Sequence, residues 1–243
     1  MTAPRSSRLA AFVRARLSPQ DYLGLHLSVG ALVLMLAVFV FAQIAEGVML
    51  AQRITRLDVQ VSNWFHANAT PLGTQLMLGV THLHSTAGIL GLCAALALYW
   101  RRRKAWDWGV TLLVSVPLGM LINVALKDIF QRARPSFEHP VLTLASYSFP
   151  SGHTAGATLF YGVLAAWLIC RAHSWFARIG IALLASLMVA LVALSRVYLG
   201  AHYPSDVLAA MAAGGGWLAF SLTAAATWRR RRRMLQRAEA ASP

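Results

Sequence analysis

Ser195-Arg196-Val197-Tyr198-Leu199-Gly200-Ala201-His202-Tyr203-Pro204-Ser205-Asp206 lies between two long apolar runs. It packs an arginine, a histidine and an aspartate into a short polar interval at a membrane boundary. Ionisable groups are costly there unless paired or used, so the cluster marks a functional site. Two earlier stretches carry matching pieces: Lys127-Asp128-Ile129-Phe130-Gln131-Arg132-Ala133-Arg134-Pro135 and Phe149-Pro150-Ser151-Gly152-His153. The three segments read as one phosphate-handling site, with the rest of the chain holding it against a bilayer.

The surrounding composition sets the fold class. Of 243 residues, 58% are hydrophobic and 12% charged, whereas soluble domains carry about 25% charged residues. Several apolar runs approach the roughly 20 residues that a transmembrane helix needs. The chain therefore reads as an all-α, six-transmembrane-helix bundle, with spans at 25–45, 76–100, 108–126, 151–170, 179–194 and 204–228. A single domain, 25–228, sits between a basic N-terminal segment, 1–24, and a basic tail, 229–243. Within residues 1–20, Leu9, Phe12, Val13 and Leu17 fit either a short amphipathic surface helix or an unstructured basic tail. The first apolar run reads as a span rather than a cleaved signal. Residues 46–75 form a polar connection with Asp58 and an amphipathic piece, 59–66, whose Trp64 and Phe65 suit the interface. Trp64, Trp100, Trp106, Trp108 and Trp228 read as an aromatic belt. Cys93 and Cys170 read as buried packing residues, and neither a disulfide framework nor a metal spacing is present.

Six spans put both termini on one side. Of the 22 Lys and Arg, only Arg53, Arg56, Lys127, Arg132, Arg134 and Arg196 fall on the other side. The positive-inside rule then places both termini in the cytoplasm and all three motifs on the opposite face. The net charge of +14 is topological information, and no nucleic-acid partner is expected. The expected location is a plasma membrane, or a bacterial inner membrane, with the site facing the periplasm or exterior. The partners are the bilayer and a lipid phosphate within it; the oligomeric state is left open.

Catalysis of phosphoryl transfer is mostly positioning and charge stabilisation. Lys127, Arg134 and Arg196 provide three cations, and an arginine fork suits bidentate contact with phosphate oxygens. Ser151-Gly152-His153 opens a helix after Pro150, where free backbone N–H groups bind anions and Gly152 allows close approach. With no metal or other cofactor expected, the nucleophile must come from the chain. His202 is the candidate. Asp206, four residues on and with Pro204 near the helix start, orients it and leaves the other ring nitrogen free to attack phosphorus. His153 then protonates the leaving oxygen as general acid. Arg132 and Asp128 lie off this pattern, and Arg132 is expected to be solvated or to meet lipid headgroups. His82 and His84, two residues apart, point to different helix faces, which argues against a metal site and leaves a lining role.

These stretches resemble the signature of the type 2 phosphatidic acid phosphatase (PAP2) superfamily: K-x6-R-P, then P-S-G-H, then S-R-x5-H-x3-D. Lys127 to Arg134-Pro135, Pro150 to His153, and Ser195-Arg196 to His202 to Asp206 fill every position at the family's spacing. The resemblance covers residues 127–206. It implies a PAP2/haloperoxidase-like core and a metal-free phosphohistidine mechanism. In that mechanism Lys127, Arg134, Ser151, Gly152 and Arg196 hold the phosphoryl oxygens, His202 attacks, His153 protonates the leaving group, and water releases phosphate. It implies as substrate undecaprenyl diphosphate, phosphatidylglycerol phosphate, phosphatidic acid or a lipid A phosphate. Two other readings stay open: a lipid phosphotransferase using the same phosphohistidine, and an inactive relative that binds lipid.

Overall fold

The computed structural model describes residues 24–241, and the expectation for residues 1–20 lies outside the described residues. Among the described residues the chain is helical throughout: α1 Leu25–Met49, α2 Arg53–Ala67, α3 Pro71–Leu83, α4 Thr86–Arg102, α5 Trp106–Phe130, α6 Gly152–Ile169, α7 Trp175–Tyr198 and α8 Pro204–Ala241. Among the described residues five helices are long and apolar enough to cross a membrane, and up to six spans result if the bent pair α3 and α4 counts as one.

α6 is the central helix. It packs on α4, α5, α7 and α8, while α1 leans against α8. Ile89, Cys93, Trp100, Leu112, Val116, Leu159, Phe160 and Val163 form the main core between α4, α5 and α6. The flanks of the bundle are different: Leu32, Met35, Leu121, Leu183 and Leu187 are all exposed, as side chains facing hydrocarbon should be.

Several elements differ from the sequence expectation. The span expected at 76–100 is two helices meeting at 54°. Ser85 starts α4 by accepting from the Gly88 N–H at 3.2 Å, and the His84 Nδ1–H donates to the Val80 carbonyl at 2.8 Å, closing α3. The two helix ends are pressed together at Gly88, where a Cβ would lie 2.1 Å from the Leu83 carbonyl oxygen. α7 is longer than 179–194, and α8 continues through the arginine run, because arginine is a good helix former that needs no apolar partner beyond the bilayer. α5 is longer than the span expected at 108–126, running from Trp106 to Phe130 with Pro117 inside it.

The amphipathic piece is the full helix α2, and its orientation is inverted. Asp58 and Ser62 are buried, while Leu57, Val61 and Trp64 point outward. At a bilayer the outside is the apolar solvent, so the polar face turns inward to find partners. Two further expectations are corrected. Cys170 is exposed at the end of α6, where the chain turns out of the bundle. Trp100 is fully buried rather than part of a belt, packed against Trp108 and Trp167 at ring separations of 6.3 and 5.3 Å.

Candidate active site

The site is built on the turn between α7 and α8. Gly200, at φ +66°, ends α7: its N–H donates to Val197 O at 3.0 Å and the Ala201 N–H to Arg196 O at 3.0 Å. This paired pattern is a Schellman motif, and it needs the left-handed residue that glycine supplies. The reversal brings Arg196, in the last turn of α7, back beside His202. Both are buried, at 1% and 2% exposure. α8 then starts at Pro204. The Asp206 carboxylate reaches back to accept from the Tyr203 N–H at 2.8 Å, the acid half of a capping box.

Asp206 therefore faces two ways. Its Oδ2 also lies 3.5 Å from the Nδ1 of His202 and accepts from the Ser148 hydroxyl. Nδ1 thus sits between two oxygens, with Ser148 Oγ at 3.4 Å, and Nε2 is left to the cavity side, 3.3 Å from Arg134 Nη1. Burial pushes the His202 imidazole down to about 4; hydrogen bonding and attraction to Asp206 oppose this, and Arg134 and Lys127 add to the fall. The cost of burying a charged ring thus outweighs the single carboxylate at 3.5 Å, and at neutral pH the ring keeps a free lone pair.

Six of the eight expected residues, Lys127, Arg134, Gly152, His153, Arg196 and His202, line one cavity of about 820 Å³. Ser151 and Asp206 stand behind its wall, both fully buried. The Ser151 N–H donates to the Asp206 carbonyl at 3.1 Å, which ties the start of α6 to the start of α8. The first N–H groups of α6, at Gly152 and His153, face no preceding turn. Lys127 donates to the carbonyls of Tyr147 and Ser148. Arg134 donates to Ser146 O at 2.6 Å and Ala201 O at 2.5 Å, and burial lowers its pKa while Asp206 raises it. Arg196 Nη1 donates to Thr81 Oγ1 at 2.7 Å, and its buried Nε has no partner among the described residues.

Residues missed by sequence reasoning complete the picture. Arg132, expected at the solvent or headgroups, is nearly buried. It donates to Asp206 Oδ1 at 2.6 Å and to Asp58 Oδ2 at 2.7 Å, with its guanidinium 4.3 Å over the Tyr203 ring. The backbone from 131 to 137 has no regular structure, and in extended chain residues two apart share a face. Arg132 and Arg134 can then both turn to the 202–206 segment. Thr81, Ser148 and Asn123 are likewise buried beside the site. His84 does not line the cavity; it is buried, with Nε2 2.8 Å from the Tyr161 hydroxyl.

Residues 108–230, which contain all three motifs, match the model of the PAP2 superfamily. The chain belongs to the PAP2 superfamily. Phosphatidylglycerophosphatase B of Bacillus subtilis is 31% identical over 182 residues, covering 73% of this chain and 88% of that one. An undecaprenyl-diphosphatase of Sulfolobus acidocaldarius is 32% identical over 132 residues, covering 52% and 58%. The crystal structure of a transmembrane PAP2-type phosphatidylglycerolphosphate phosphatase from Bacillus subtilis superposes with a TM-score of 0.70 at 28% identity, over 77% of this chain and 93% of that one. This PAP2 protein is thus a multi-pass membrane phosphatase, and the PAP2 fold accounts for the bundle that carries the cavity.

Proposed function

We propose that this PAP2 phosphatase hydrolyses a phosphate monoester or diphosphate lipid at the outer membrane face through a phosphohistidine on His202. One observation carries the reading. The cavity that holds Lys127, Arg134, Arg196, His153 and His202 is also lined by Leu90, Leu121 and Val124, three side chains exposed on the bundle's flank. A phosphate fits its polar end while an acyl or prenyl tail leaves between helices toward the bilayer. Relatives named for phosphatidylglycerophosphate and undecaprenyl diphosphate support this substrate class.

In this reading the His202 Nε2 lone pair forms a bond to phosphorus and the P–O bond to the lipid breaks. The leaving oxygen takes its electron pair and the proton of His153. Water then attacks phosphorus, gives a proton to His153, and the Nε2–P bond breaks to release phosphate. Asp206 steadies the imidazolium formed between the steps. Lys127, Arg134, Arg196 Nε and the free backbone N–H groups of Gly152 and His153 hold the phosphoryl oxygens, while Ser151, expected among them, has its N–H taken by the Asp206 carbonyl and fixes the start of α6. Six spans, with α3 and α4 as one, put both termini in the cytoplasm and the site at the periplasm or exterior, consistent with the concentration of Lys and Arg at the other end.

The test is phosphate release from purified phosphatidic acid, phosphatidylglycerol phosphate and undecaprenyl diphosphate in detergent with EDTA, for wild type and His202→Ala. Release by the wild type alone is the expected result, and the panel ranks substrates. Equal efficiency on a soluble phosphate ester would sink the lipid assignment. Labelled phosphate arriving on a second lipid would favour transfer over hydrolysis. A folded wild type that binds lipid without turnover would favour the binding reading.

A further inference from the structure

The phosphohistidine reading uses Asp206 but leaves unexplained what lies behind it. Asp58 is 1% exposed and comes from α2, a helix that contributes nothing to the cavity lining. Its Oδ1 accepts from the Ser205 N–H at 2.9 Å and its Oδ2 from the Ser205 hydroxyl at 2.5 Å. The Ser205 N–H is one of the unsatisfied donors of the first turn of α8, so Asp58 caps that turn from another element. The same Oδ2 takes Arg132 Nη2, whose Nη1 spans Asp206 Oδ1 and Ser205 Oγ at 2.6 and 2.7 Å. A guanidinium is therefore forked between two carboxylates, one of which faces His202. Neither Asp58 nor Arg132 lines the cavity.

We propose that Arg132 and Asp58 are positioning residues for the nucleophile, acting through Asp206 and the first turn of α8. The proposal rests on the phosphohistidine reading and deepens it. Arg132 fixes the plane of the Asp206 carboxylate and neutralises part of its charge. Asp58 holds Arg132 and the turn in one arrangement, so that α2, with its apolar face toward lipid, is joined to the reacting histidine by three consecutive polar contacts. A lysine at 132 would keep the charge but lose the planar fork that reaches both acids.

The charge balance gives the proposal a signature that a merely structural role lacks. The groups facing His202 are Asp206 on α8, Arg134 on the 131–151 loop, Lys127 on α5 and His153 on α6, with Arg196 of α7 in the same cavity. Removing the Arg132 cation leaves Asp206 more negative and favours the protonated ring. Removing the Asp58 anion leaves the Arg132 charge less compensated and disfavours it. The two losses therefore move the acid limb of the pH–rate profile in opposite directions.

The experiment compares full-length wild type with Asp58→Asn, Arg132→Gln and Arg132→Lys in detergent. It uses whichever of the three panel lipids the wild type hydrolyses fastest, and measures kcat, KM, the pH profile and thermal unfolding. Expected is a fall in kcat of roughly 10–100-fold, the range found for partners that orient a metal-bound histidine, with KM little changed. The acid limb should rise in Arg132→Gln, fall in Asp58→Asn and stay near wild type in Arg132→Lys, whose kcat is still reduced. Folded variants with wild-type kcat and an unmoved acid limb would overturn the proposal. So would unfolding of both Asp58→Asn and Arg132→Lys, which would assign Asp58 and Arg132 to fold stability alone. A wild type without turnover, or an active His202→Ala, would instead sink the phosphohistidine reading itself.

Discussion

His202 and Asp206 face each other across 3.5 Å, yet the imidazole stays neutral, because burial acts on it more strongly than the carboxylate does. Attack requires the neutral ring, so lowering the pH inactivates only as His202 takes up a proton. The acid limb of kcat/KM should therefore lie near pH 4 instead of in the ordinary histidine range. A pH–rate series on a lipid phosphate between pH 3.5 and 8 checks this; His153 must hold its proton, so the profile also falls on the alkaline side, and an acid-side half-maximal point near pH 6.5 would contradict the reading.

His153 lines the same cavity as His202, from the first turn of α6. As general acid it should be worth about 10²–10⁴-fold in turnover. His153→Gln should lose that factor on an alkyl phosphate and much less on a nitrophenyl phosphate, whose leaving oxygen needs no proton. Equal losses on both esters would remove His153 from the acid role.

Thr81 on α3 accepts from Arg196 at 2.7 Å and lies 3.2 Å from Ser195 Oγ, whose hydroxyl donates to the Val192 carbonyl at 2.7 Å. Thr81→Val takes a hydrogen bond from a buried guanidinium, worth about 1.5–3 kcal/mol. The arginine should then be held less firmly, and KM for the lipid phosphate should rise by roughly tenfold or more. Substrate titration of the variant reads this directly; an unchanged KM would show that Arg196 is positioned without Thr81.

Gly88 and Gly91 share a helix but differ in surroundings. A Cβ at Gly88 would meet the Leu83 carbonyl oxygen at 2.1 Å, whereas one at Gly91 would meet nothing within 4 Å. Gly88→Ala should therefore open the bend between α3 and α4 and destabilise by about 1–3 kcal/mol. Gly91→Ala should be neutral or slightly stabilising. Thermal unfolding of both in the same detergent makes the comparison.

Much of this protein is legible along the chain because its signals are local. Each span announces itself by an apolar run, since a helix satisfies its own backbone in lipid. Asp206 and His202 lie four residues apart, so a single turn brings them together. Lys127, Arg134, Gly152, His153, Arg196 and His202 stand out by residue type at a membrane boundary, and they share one cavity. The same three stretches carry the family likeness.

What lies behind the cavity was decided by tertiary structure. Arg132 and Asp58 are 74 residues apart, as are Arg132 and Asp206, and no periodicity or motif joins them. A lone arginine near a membrane boundary reads as solvated until a carboxylate on a distant helix is seen to meet it. The same holds for Thr81, which meets Arg196 across 115 residues, and for Trp100, whose burial depends on Trp108 and Trp167. The inward turn of the polar face of α2 follows for a physical reason that the sequence alone leaves undecided. Once the neighbouring helices supply Arg132 and Ser205, burying Asp58 is cheaper than leaving it at an apolar surface.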